Sequence, residues 1–118
     1  MGTFNSLPGG TIALDINAKG DIAYDDGTGT IFEINLTTQN PIKVASGTLP
    51  RINDQGDIVL VAGGQVQVWF HPSYKNHTNV NGTTTAIWAD INNAGVVAFE
   101  DIDSSGHHQV YQATPPPT

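Results

Sequence analysis

Aromatic and polar residues recur together along this chain in a way that suits recognition of a polyhydroxylated ligand. Phe32, Trp69 and Tyr111 each follow an aliphatic residue or stand beside one, and Trp88 stands just ahead of a recurring turn. Asp15, Arg51 and Asp90 precede that turn at equivalent positions. Aromatic rings present flat apolar faces that stack on the C–H faces of sugars. Carboxylate and guanidinium groups beside them can bond to hydroxyls. Shallow sites repeated on one molecule gain strength by avidity. Phe32, Trp69, Trp88, Tyr111, Arg51, Asp15 and Asp90 are therefore the candidate ligand-binding residues, with glycans as the expected ligand class. A packing role between strands accounts for the same aromatics, because large rings dominate core burial.

A second pattern is Asp101-Ile102-Asp103-Ser104-Ser105-Gly106. It spaces oxygen ligands at alternate positions before a glycine, as the first half of a calcium loop does. Asp101, Asp103 and Ser105 are the candidate metal ligands, and calcium is the one cofactor this pattern suggests. The twelfth position of such a loop falls on Gln112, where a bidentate glutamate belongs. A hairpin turn held by side-chain-to-backbone bonds explains the same residues. His107 and His108 are adjacent, so on a strand they point to opposite faces and cannot readily share a metal. The chain has no cysteine, which removes thiolate zinc sites, disulfides and cysteine nucleophiles. No G-x-S-x-G elbow is present. The expectation is a protein that binds and does not catalyse.

The elements that must position these residues follow from a repeat. Ile16-Asn17-Ala18-Lys19-Gly20-Asp21-Ile22, Ile52-Asn53-Asp54-Gln55-Gly56-Asp57-Ile58 and Ile91-Asn92-Asn93-Ala94-Gly95-Val96-Val97 lie at intervals of 36 and 39 residues. A period near forty residues marks stacked supersecondary units. Asn at the head of the turn can bond backbone ahead of it, and Gly three residues later supplies φ > 0. That chemistry joins two antiparallel strands. The strand after each turn carries large residues on one side (Ile22 and Tyr24, Ile58 and Leu60, Val97 and Phe99) and small apolar ones on the other (Ala23, Val59, Ala98), which predicts burial on both faces. A third strand follows at Ile31-Phe32-Glu33-Ile34, Val68-Trp69-Phe70 and Val110-Tyr111-Gln112. Weaker fourth strands are expected at Pro41–Ala45 and Thr78–Val80, where polar residues and a leading proline suit an edge. The third copy runs into prolines instead, so residues 3–10 are expected to complete that unit from the other end of the chain.

The phrase Leu49-Pro50-Arg51-Ile52-Asn53-Asp54-Gln55-Gly56-Asp57-Ile58-Val59 resembles the blade repeat of bacterial exported β-propeller-like proteins, written P-x-I-N-D-x-G-x-V-x-F. The likeness extends to all three copies, although the first and third lack the proline. It implies an all-β fold of three four-stranded blades, and a scaffold or binding role with no fixed catalytic site. Three blades cannot close a ring, since propellers have at least four. This architecture therefore implies a homo-oligomer, with six blades from two chains the simplest closure. The alternative is a β-trefoil, which completes three four-stranded repeats within one chain. Either way, residues 1–114 form one domain with repeats near 11–47, 48–84 and 85–114 plus 3–10, and 115–118 form a proline-rich tail.

Composition bounds the partners. The net charge is −7, with only Lys19, Lys43, Arg51 and Lys75 basic, and these are scattered. No patch exists to neutralise phosphates, so nucleic acid is not an expected partner. No apolar run is long enough to span a bilayer as a helix. The repeat likeness points to an extracellular or cell-surface location. The function expected from these readings is a lectin-like binding module. The rival is a structural or assembly unit of an exported protein with no small ligand.

Overall fold

The computed structural model describes residues 7, 9–35, 37, 39–80 and 82–114. Among these the chain is all-β, with three antiparallel sheets and no helix. The first sheet contains β1 (Ala13–Ile16), β2 (Asp21–Asp25), β3 (Thr30–Asn35) and β4 (Ile42–Ser46). The second contains β5 (Thr48–Ile52), β6 (Ile58–Ala62), β7 (Gln65–Trp69) and β8 (His77–Asn79). The third contains β9 (Ala86–Ile91), β10 (Val97–Ile102) and β11 (His108–Ala113). Within each sheet every strand pairs with the next in sequence, a simple meander.

The repeated turn folds as its residues dictate. Asn17 Oδ1 accepts from the backbone N–H of Lys19 and Asp21, at 3.0 and 2.9 Å. Gly20 N donates to Asn17 O at 3.1 Å, and its φ of 85° is one that L side chains rarely adopt. Asn53 Oδ1 holds Asp57 N, and Asn92 Oδ1 holds Ala94 N and Val96 N, in the same way. A fourth turn of this type lies between β10 and β11. There Asp103 Oδ1 takes Ser105 N and His107 N, each at 2.9 Å.

The sheets stack face to face and bury two apolar layers. Ala23, Ile31 and Val44 of the first sheet meet Ile52, Ile58, Leu60 and the ring of Tyr74. Val59, Val61, Val66 and Val68 on the other face of the second sheet meet Ala89, Ile91, Val97 and Phe99 of the third. The middle sheet is thus covered on both sides, and Ile58, Val59 and Leu60 of β6 are fully buried. β10 departs from the expectation of two buried faces. Val97 and Phe99 are buried, but Ala98 points the other way and is exposed, because no described residue covers the far side of the third sheet. The first strands of the sheets lie in a row, β1 against β5 and β5 against β9. The expected completion of the third unit by residues 3–10 falls mainly on 3–6 and 8, which lie outside the described residues, as does the tail 115–118.

The register also revises one alignment. Phe32 lies opposite Tyr24 and Tyr111 opposite Phe99, at equivalent places in the first and third sheets. Trp69 lies opposite Ile58, so its equivalents are Ile34 and Ala113, and Gln67 holds the place matching Phe32 and Tyr111. The cause is turn length. β6 and β7 are joined through Gly63-Gly64 alone, whereas β2 and β3 are joined by the longer Asp26–Gly29 segment.

Candidate functional site

Strands β1, β5 and β9, one from each repeat, converge on an open cavity of about 300 Å³ lined by Ala13, Leu14, Leu49, Pro50, Arg51 and Trp88. Its shape depends on an irregularity in β5. Between Thr48 and Arg51 this strand carries one residue more than β6 opposite it. A bulge of this kind bends the strand and re-aims side chains. Leu49 sits at its centre with φ 52°, the left-handed region that costs an L residue free energy. The Leu49 side chain is thereby left exposed against Leu14 of β1 as an apolar floor.

Polar and aromatic groups gather over this floor. The Arg51 guanidinium carbon lies 5.6 Å from the centre of the Trp88 ring, within cation–π range. Arg51 Nη1 stands 3.9 Å from Asp15 Oδ1. The other oxygen of Asp15 accepts from Ile52 N at 3.0 Å, which ties β1 to β5 and orients the carboxylate. Trp88 Nε1 donates to Glu100 Oε1 at 2.8 Å, so the indole is held edge-on from the neighbouring strand. Glu100 also pairs with His108 Nδ1, and these two bonds, that from His108 the stronger, hold its carboxyl below the ordinary carboxylate range. Trp88 keeps 40% of its surface exposed.

The structure therefore brings Trp88 and Arg51 to one cavity, with Asp15 beside it through its contact with Arg51. Asp90 lies two residues further along β9, exposed, with Oδ1 accepting from Ile91 N at 2.9 Å. It borders a smaller hollow of about 80 Å³ shared with Trp88, Ala98 and Val110. The remaining aromatics lie elsewhere. Phe32 stacks on Tyr24 with ring centres 5.7 Å apart, and Tyr111 on Phe99 at 5.4 Å. Trp69 stacks on His77 at 4.1 Å, donates to Gln67 Oε1 at 3.0 Å and packs against the core between the first two sheets. These three rings serve cross-strand packing, worth about 0.5–1.5 kcal/mol per pair beyond their burial.

The acidic loop is occupied with its own backbone. Asp103 Oδ1 closes the turn, Asp101 Oδ1 accepts from Ile102 N and from the Thr85 hydroxyl, and Ser105 contributes its N–H to Asp103. Among the described residues no three His, Asp or Glu side chains gather as a metal would need.

Sequence reasoning missed the supports of the site. Glu100 and His108 carry no motif, and only the pairing of Glu100 with Trp88 reveals the link. The equivalent spacing of Asp15 and Arg51 was the one available signal for the ion pair. The chain as a whole is an all-β protein of stacked meander sheets with an open aromatic-and-charge cluster along its row of first strands. No family model and no curated protein matches its sequence.

Proposed function

We propose that this protein is a non-enzymatic carbohydrate-binding module, built as propeller blades and acting outside the cell or at its surface. The observation that carries the reading is the convergence of Trp88 and Arg51 on one open cavity with an apolar floor, with Asp15 3.9 Å from the guanidinium. An aromatic face flanked by a cation and a carboxylate can stack on a pyranose and bond its hydroxyls, with orientation set by few polar groups. The site is shallow, so single contacts are weak and repetition supplies strength.

The blade architecture is supported by the meander order within each sheet and by face-to-face stacking through two separate cores. A trefoil would share one core among its repeats and has less support. The likeness of the turn phrase to exported β-propeller-like repeats agrees with the blade reading, in which two chains complete a six-bladed ring.

The alternative is a structural unit with no small ligand. What favours it is the fate of Phe32, Trp69 and Tyr111, which are engaged in ring stacking. A glycan array followed by calorimetry separates the two. The lectin reading expects binding that is lost in Trp88→Ala and Arg51→Ala with the fold intact. Folded protein that binds no glycan at high concentration would refute it and leave the structural role.

A further inference from the structure

A tyrosine fills one particular place at the junction of the first and second sheets. Tyr74 lies in the loop after β7 and is 4% exposed, packed in the core between those sheets. Its hydroxyl donates to Gly56 O at 2.7 Å, and its backbone N–H donates to Phe70 O at 3.0 Å. Burial, and then the charges of Glu33, Asp21 and Asp57, raise the hydroxyl above its ordinary value of 10.0, so it stays a protonated donor. The hydroxyl end of the ring thus meets the β5–β6 turn, with Asp21 and Glu33 of the first sheet nearby.

The junction of the second and third sheets has the same place as a cavity of about 260 Å³. Its lining corresponds to the surroundings of Tyr74. In the repeated phrase Asp57 stands for Asp21 and Gly95 for Gly56. Val68 lies opposite Val59 as Glu33 lies opposite Ala23, so Val68 stands for Glu33 and Phe70 for Asn35. Ala113 lies opposite Val97 as Trp69 lies opposite Ile58, so Thr114 stands for Phe70. The two exchanges at Val68 and Phe70 make this cavity more apolar than the place Tyr74 fills. Among the described residues no side chain enters it as Tyr74 enters the first, and Gly95 O accepts from no donor.

We propose that this cavity binds a para-substituted phenol, with the ring against Val68, Phe70 and Ile91 and the hydroxyl donating to Gly95 O. Tyr74 is the internal template for that pose. The cavity falls just below the roughly 300 Å³ at which pockets begin to take drug-sized ligands, so it suits a single ring. The apolar walls favour an aromatic over a polar ligand, and the unpaired carbonyl asks for one donor. Asp57 at the rim opposes an anion, which selects a neutral phenol over an aromatic acid. This site shares no lining residue with the Trp88 cavity, so it stands independently of sugar binding. A free phenol and the tyrosine of a peptide present the same chemistry here.

Titration of the isotope-labelled full chain with p-cresol, followed by amide chemical shifts, tests this. Saturable shifts are expected at Asp57, Val68, Ala94 and Gly95, with a Kd of roughly 0.1–1 mM for a ligand of so few atoms. 4-Methylanisole has no hydroxyl to donate and should bind at least about tenfold more weakly. N-acetyltyrosinamide separates the two sources. Tighter binding than p-cresol assigns a peptide tyrosine, whose N–H reaches Thr114 O as Tyr74 N reaches Phe70 O; weaker binding assigns a free phenol. Tyr74→Ala should open the matching place in the first junction, so that p-cresol binds at two sites and raises the melting temperature more than in the parent. If that variant does not fold, the titration of the parent decides alone. Absence of saturable shifts overturns the proposal, and so do shifts confined to the surroundings of Trp88 or equal binding of the methyl ether. A folded Tyr74→Ala protein that gains no second site would remove the equivalence on which the proposal rests.

Discussion

Asn17 in the first repeat donates its side-chain amide to the backbone carbonyl of Asn53 in the second, at 2.9 Å, while its own Oδ1 closes the turn that contains it. One residue type thus performs a local and a distant task. An amide sets its acceptor oxygen and its donor nitrogen on separate atoms of one short side chain, so the two can serve different partners at once. Aspartate could close the turn but would set an oxygen against the neighbouring carbonyl.

Asn53→Asp should therefore cost about 1–3 kcal/mol in denaturant unfolding, since it loses a buried donor and strands a carbonyl. Asn92→Asp keeps its turn bonds, and among the described residues the Asn92 amide nitrogen has no partner to lose. In dilute protein it should change chain stability by less than about 0.5 kcal/mol. Equal losses would show that the inter-repeat bond contributes little.

The two tryptophans should separate in kind. Trp69→Ala removes a ring packed on the core and stacked on His77, and should cost about 2–4 kcal/mol. Trp88→Ala removes a half-exposed ring and should cost about 1 kcal/mol or less, while abolishing ligand binding. Urea titration of both variants decides the matter, and the opposite ranking would place Trp88 in the core instead.

The tight connection between β6 and β7 should tolerate no side chain at its second glycine. Gly64 has φ 83°, and a Cβ there would lie 2.1 Å from Thr84 O. Gly63 has φ 58° and open space around it. Gly64→Ala should cost more than about 2 kcal/mol and Gly63→Ala about 1 kcal/mol, the cost of left-handed backbone alone. Thermal unfolding of the pair measures the difference.

Glu33 and Asp54 should give opposite pH signatures. Burial, and then the charge of nearby Asp21, push the Glu33 carboxyl above its ordinary value of 4.5. Its contribution to stability is fully present below that pH and is lost as pH rises through the raised value. The N–H of Ala18, and then the amide of Asn93, hold Asp54 below its ordinary 3.8. Its contribution is present above that pH and is lost as pH falls through the lowered value. Glu33→Gln should accordingly raise the melting temperature at pH 7 and leave it unchanged at pH 4. A gain of the same size at both values would mean that Glu33 pays no desolvation cost in the fold.

The sequence by itself determined the local chemistry: three turns headed by asparagine and closed by glycine, with antiparallel strands around them. Turn geometry depends on neighbours a few residues apart, so Asn17, Asn53 and Asn92 could be assigned from spacing alone. Strand pairing beyond the turn was less legible. Trp69 was aligned with Phe32 and Tyr111 by its aliphatic neighbour, yet the shorter Gly63-Gly64 connection shifts its register. Side chains alternate with a period of two, so such a shift changes a residue's partners without changing its local pattern. Tertiary structure alone decided that Arg51 lies over Trp88 and against Asp15. Those residues are far apart along the chain and meet only because three sheets stack with their first strands in a row. It also decided which apolar side chains stay exposed. Ile16, Ile52 and Ile91 occupy the same place in the same phrase, and only position in the stack leaves the first exposed and the others covered.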